Sequence, residues 1–146
     1  MAQDLFQEIY REISGYFPQT YEKIVFFTCH SESHCRMEFF VIFSETQWVK
    51  CYNLQGVEDE DLMDSFDKIN LLIDSVKESE PVMNSWDMLT ITFQETGEFS
   101  SEYEYIDENF DEYSHEVIWR YKYLKEIPLK ENAIAHKIVT EYIKKS

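Results

Sequence analysis

Five consecutive apolar residues, Phe39-Phe40-Val41-Ile42-Phe43, constrain this chain more than any other stretch. β-branched and aromatic residues favour extended backbone, and the side chains of a strand alternate between two faces. A run with no polar break therefore needs apolar cover on both sides, which reads as a central strand. Its neighbours agree. YEKIVFFTCH (21–30) and CRMEFFVIFS (35–44) are separated by the polar turn Ser31-Glu32-Ser33-His34, the mark of a hairpin, and QWVKCYNL (47–54) follows as a third strand.

Helical periodicity brackets this β-rich block. Leu5, Phe6, Ile9, Tyr10 and Ile13 recur at helical spacing over residues 3–16, stopped by Gly15 and Pro18. Leu62, Phe66, Ile69, Ile73 and Val76 form one stripe over 58–77, after the acidic start Glu58-Asp59-Glu60-Asp61 that suits the positive end of a helix dipole. A second hairpin follows, from MLTITFQ (88–94) through Glu95-Thr96-Gly97-Glu98 to FSSEYEY (99–105). Two more helices are predicted over 109–124 and 131–145, the first carrying Phe110, Tyr113, Val117, Tyr121 and Leu124. The order α-βββ-α-ββ-αα predicts an α+β fold, an antiparallel sheet of about five strands (two hairpin units) with helices packed on it. At 146 residues the chain is one domain's worth, expected to span 1–146.

Charge narrows the function. The net charge is −16, and it is uneven: residues 51–119 hold 19 acidic and 2 basic groups, whereas 120–146 hold 3 acidic and 7 basic. From Glu78 to Trp119 there is no Lys or Arg. Such a surface repels nucleic acid and anionic membranes and attracts basic proteins, with long-range fields speeding the encounter. The densest part is TITFQETGEFSSEYEYIDENFDEY (90–113), with eight carboxylates and six aromatics. Alternation sends Phe99, Ser101, Tyr103 and Tyr105 one way and Ser100, Glu102 and Glu104 the other. The aromatic side is expected to build core. The carboxylate side, Glu98, Glu102, Glu104, Asp107, Glu108, Asp111 and Glu112, is expected to be a docking surface for a basic partner, with Glu58, Asp59, Glu60 and Asp61 a second candidate patch.

Catalytic and metal chemistry find little support. No nucleophile elbow, phosphate loop or His-Glu zinc helix is present, and three glycines leave little backbone to cradle a phosphate. Cys29, His30, His34 and Cys35 cluster at the first hairpin, but their spacing is not a zinc knuckle, and adjacent Cys29 and His30 point to opposite strand faces. Asp107 to Glu112 resembles the start of a calcium loop without its turn glycine, and Ile118 stands at the twelfth position, where the glutamate belongs. No catalytic residue, metal or cofactor is expected. The amphipathic, acidic N-terminus is unlike a signal peptide, no apolar run reaches a membrane-spanning length, and three cysteines make no disulfide framework, so a cytoplasmic location is expected.

One family pattern runs through the second half: Trp86, the alternation Leu89-Thr90-Ile91, Gly97-Glu98-Phe99, Tyr103-Glu104-Tyr105-Ile106-Asp107, then Trp119-Arg120-Tyr121-Lys122-Tyr123-Leu124 and Pro128. The first half adds Ile9-Tyr10-Arg11-Glu12-Ile13, a Pro, and a strand from Tyr21-Glu22-Lys23. This resembles the YezG-like immunity proteins of Gram-positive bacteria. The chain departs from them at His115, where an Arg is common, and at Lys125, where a Gly is common. The resemblance implies a cytoplasmic, non-enzymatic antitoxin of an LXG or type VII-secreted polymorphic toxin. Its partner is then the toxin's C-terminal domain, often a nuclease, whose phosphate-binding groove is basic. Two other readings stand beside it: a secretion chaperone or adaptor that binds without neutralising, and a small metal-dependent enzyme or regulator built on Cys29, His30, His34 and Cys35. Nothing in the pattern selects an oligomeric state.

Overall fold

A computed structural model describes residues 2–31 and 35–146. One five-stranded antiparallel sheet runs through it, in the order β3-β2-β1-β4-β5, with β1 Lys23–His30, β2 Cys35–Ser44, β3 Gln47–Lys50, β4 Met88–Gln94 and β5 Phe99–Glu104. Four helices accompany it: α1 Ala2–Ile13, α2 Asp59–Ser79, α3 Glu112–Leu124 and α4 Ala133–Lys145. The α+β class and the element order are those predicted. The hairpin turn foreseen at Ser31–His34 lies mostly outside the described residues.

The apolar run of β2 does receive cover on both faces. Phe39 and Val41 join a core with α1 and α2, while Phe40 and Ile42 join a second core under α3. The centre of the sheet is β1, however, one strand over, whose Ile24 to Cys29 are all buried. Phe43 ends the run outside the core, over a third exposed. The third strand is shorter than predicted. It pairs with β2 only to Lys50 and then tightens into a 3-10 turn, Cys51–Asn53, which drops the Cys51 side chain into the interior.

On the first face, Leu5, Phe6, Ile9 and Ile13 of α1 and Leu62, Phe66, Ile69 and Ile73 of α2 close over Phe26, Phe39, Leu89, Ile91 and Trp86. Each large side chain fully buried there contributes roughly 1.5–3 kcal/mol. On the second face, α3 sets Trp119 and Leu124 against Val25, Phe27, Phe40 and Met88, and the Trp119 indole N–H donates to Thr90 Oγ1 at 3.0 Å. α4 packs on α3, setting Ala135 and Val139 on Val117.

Candidate functional site

The β4–β5 hairpin and the segment that leads from it into α3 carry most of the residues singled out by charge. The alternation along β5 is real, but the two sides have different fates. Phe99 and Tyr103 turn toward α1, where their rings meet Phe6 at 5.7 and 6.4 Å. Glu102 and Glu104 turn toward α3, which lies over them. Glu104 sits with both carboxylate oxygens 3.2 Å from His115 Nε2, and Glu102 accepts from Lys122 Nζ at 2.5 Å. The hydrogen bond from His115 holds the Glu104 carboxyl below its ordinary range, against the opposing effect of burial. Burial raises the nearby Tyr123 phenol, and the Glu102 charge raises it further.

The polar face of the hairpin is thus partly an internal lattice. It continues into β2, where Glu38, nearly buried, meets Arg36 at 3.1 Å and Lys50 at 3.2 Å. Local alternation could not reveal this, because the covering partners stand 11 and 20 residues further along the chain.

The carboxylates open to solvent fall at the two ends of β5. At one end the turn before β5 exposes Glu95 and Glu98, with Gly97 in the left-handed region at φ 96°. At the other end Asp107, Glu108, Asp111 and Glu112 line the connection into α3. Two of these also serve the backbone. Asp107 Oδ1 accepts from the Asn109 N–H at 2.9 Å, and Asp111 caps α3 by accepting from the Ser114 N–H at 3.0 Å and its hydroxyl at 2.5 Å. Those bonds hold the Asp111 carboxyl below its usual range. The helix predicted from 109 therefore begins at Glu112, and the would-be calcium ligands are cap and turn acceptors.

Asp87 ties this end together. Its carboxylate accepts from the Ile106 N–H at 2.7 Å, and its N–H donates to the Glu104 carbonyl at 3.0 Å. Asp87 closes the loop after α2, which Lys77 fastens by donating to the carbonyls of Asn84 and Trp86. The same loop holds out Val82 and Met83, 87% and 77% exposed, the largest values among the described apolar side chains. Tyr105 and Tyr113 are also open rather than core, and Tyr103, expected in the core, keeps 36% of its surface exposed. This end of the molecule presents apolar tips among carboxylates, the mixture found at protein interfaces.

The second acidic patch lies apart. Glu58 to Asp61 are exposed at the start of α2, beside Tyr16, whose hydroxyl donates to the Asp61 carbonyl at 2.8 Å. α2 spans 21 residues, about 30 Å at 1.5 Å per residue, and by Asp74 it has reached His30 at the far end of β1.

Of the Cys and His cluster, His30 faces α2 and pairs with Asp74 at 2.8 Å, while Cys29 is buried on the opposite face under α3. His34 and the Cys35 side chain lie outside the described residues. Among the described residues no three His, Cys, Asp or Glu side chains converge on a metal-binding geometry, and no helix is long and apolar enough to cross a membrane.

A family model described as "Immunity protein YezG-like" matches residues 2–138. The chain belongs to the YezG-like immunity protein family. No curated protein matches it.

Proposed function

We propose that this YezG-like immunity protein neutralises the toxic C-terminal domain of a secreted polymorphic toxin, by stoichiometric binding in the cytoplasm and without catalysis. Family membership across residues 2–138 carries the reading, since an immunity protein implies a cognate toxin. The charge of −16 supports a basic target. A nuclease is the toxin class that most needs a positive groove, and a rigid acidic surface can occupy one. The proposed contacts are Glu98, Asp107, Glu108, Asp111 and Glu112 around β5, with Val82, Met83 and Tyr105 as apolar anchors, and Glu58 to Asp61 as a second patch. Glu102 and Glu104 belong to the same surface but reach a partner only if Lys122 and His115 let them go.

Co-expression with the toxin domain encoded beside the chain's gene tests this reading. The wild-type chain is expected to restore growth, and absence of rescue overturns the antitoxin role. Reversing Asp107 and Glu108 together to Lys removes two rim charges, which should weaken binding about tenfold at low salt and flatten its salt dependence. Unchanged affinity in that variant sinks the acidic contact.

A further inference from the structure

The two edges of the sheet are treated differently. β3 is four residues long, follows a register shift between Ile42 and Ser44, carries Lys50, and ends in a 3-10 turn. Short length, irregular pairing and lysine are the usual ways to close an edge to further strands. β5, the opposite edge, has none of them. Its register with β4 runs unbroken from Met88↔Glu104 to Phe93↔Phe99, and its sequence FSSEYE contains no Lys or Pro.

Hydrogen bonds fix which backbone groups of β5 face outward. Gln94 N–H donates to the Glu98 carbonyl at 2.8 Å. On the other side of β4, Glu95 N–H donates to Glu22 and His30 N–H to Asp87, so within β4 odd residues face β1 and even ones face β5, while Asp87, just before the strand, turns its carbonyl to His30 and its N–H to Glu104. With the two-residue repeat of an antiparallel ladder, Ser100, Glu102 and Glu104 then face β4, and Phe99, Ser101 and Tyr103 point their N–H and C=O groups away from the sheet. Among the described residues nothing accepts from or donates to these groups.

Beside the start of this edge is a cleft of about 430 Å³, lined by Phe6, Tyr10, Phe93 and Phe99, with Gln7 and Arg11 on its α1 side. The charged residue of its lining is Arg11, and carboxylates stand around it on α1 and on the turn at Gly97. Arg11 pairs with Glu8 at 2.5 Å, while Asp4 on the same stripe of α1, and Glu95 and Glu98 on the turn, meet no cation among the described residues. Asp107 and Glu108 flank the other end of β5.

We infer that β5 is a template for β-strand addition by the toxin domain: a basic strand pairs with Phe99, Ser101 and Tyr103, seats an apolar side chain in the aromatic cleft, and sets Lys or Arg against the carboxylates at both ends. This deepens the antitoxin reading and rests on it. Main-chain bonds supply the affinity in this mode and alternate side chains the selectivity. A second copy of the chain is a poor occupant, because β5 against β5 opposes carboxylates with carboxylates.

The test uses the peptide acetyl-Lys-Phe-Thr-Val-Thr-Val-Lys-amide and amide-resolved NMR of the full chain. Binding should slow hydrogen exchange at the Ser101 and Tyr103 amides and shift the Phe6 and Phe99 rings. Ser101→Pro removes one outward N–H at an edge position that tolerates proline, and should weaken the peptide at least about tenfold, whereas Ser101→Ala should leave it within about twofold. The same peptide N-methylated at alternate residues leaves the protein untouched and should not bind. Perturbation confined elsewhere, equal binding of the methylated peptide, or Ser101-dependent self-association without peptide each overturns the inference. In the co-expression experiment, full rescue by Ser101→Pro removes strand addition and leaves the antitoxin role intact, whereas failure of the wild-type chain removes the antitoxin role itself.

Discussion

On one face of β5, Phe99 and Tyr103 lean on Phe6, Phe93 and Trp86, with ring centroids 5.7 to 6.4 Å apart. On the other, Glu102 and Glu104 answer to Lys122 and His115 across gaps of 2.5 and 3.2 Å. The same six-residue strand is thus held by apolar contact on one side and by charge on the other. Apolar contact binds no proton, whereas the α3 side includes the Glu104–His115 pair, which acid undoes as it protonates the carboxylate. A carboxylate in an acidic segment is therefore not necessarily a binding residue. Glu102 and Glu104 orient α3, and the acids left to solvent are those beyond the ends of the strand.

The largest effect expected on this contrast comes from Trp119→Ala. It empties the apolar centre of the α3 layer and leaves the Thr90 hydroxyl without its donor, costing about 3–5 kcal/mol in urea-monitored unfolding. A cost below about 1 kcal/mol would mean that the charge contacts alone secure α3.

Acid should separate the two faces next. The folded-state pKa of Glu104 is lowered, so its contribution is complete above the ordinary carboxyl value and is lost as pH falls through the lowered one. Thermal melts between about pH 6 and pH 3 should show Glu104→Gln losing less stability than wild type. Phe99→Leu, on the apolar face, should keep the wild-type slope. Equal slopes for all three proteins would break the comparison.

The smallest effect is a gain. Lys125 ends α3 in the left-handed region, at φ 59° and ψ 26°, the conformation that costs a residue with a Cβ and suits glycine. Lys125→Gly should stabilise α3 by about 0.5–1 kcal/mol, read as a rise in Tm, with the pH slope unchanged. A drop in Tm would show that the Lys125 side chain matters to the α3 layer.

The same two positions explain how far sequence reading reached. Both departures from the family pattern fall at α3, His115 within it and Lys125 at its C-terminal cap. The structure gives each a physical sense: one partners Glu104, and the other occupies a glycine-type helix end. Periodicity located every helix and both hairpins, because amphipathic spacing and turn chemistry are local. The contact of α3 with Glu102 and Glu104 is set by tertiary packing, and no spacing encodes it. Nor does an apolar run say which of two adjacent strands is central: Ile24 to Phe27 of β1 and Phe39 to Ile42 of β2 look alike, and β1 wins because β4 pairs with it. Fewer of the aromatics of 99–113 are core than their spacing suggests, since Tyr103, Tyr105 and Tyr113 are exposed. Tyr105 lies in the connection beyond β5 and Tyr113 in the first turn of α3.

The three tryptophans are distributed in a way that makes the molecule optically legible. Trp86 lies within the α1 and α2 layer under Lys77, Trp119 lies within the α3 layer against Phe27 and Phe40, and Trp48 sits half-buried on the edge strand β3. Trp86 belongs to one side of the sheet, whereas Trp48 and Trp119 share the other, both against the Phe40 ring. Chains retaining one indole apiece would report the two sides of the sheet separately, and Trp86, whose ring lies 5.7 Å from that of Tyr103, would let a toxin arriving at β5 be watched without attaching any dye.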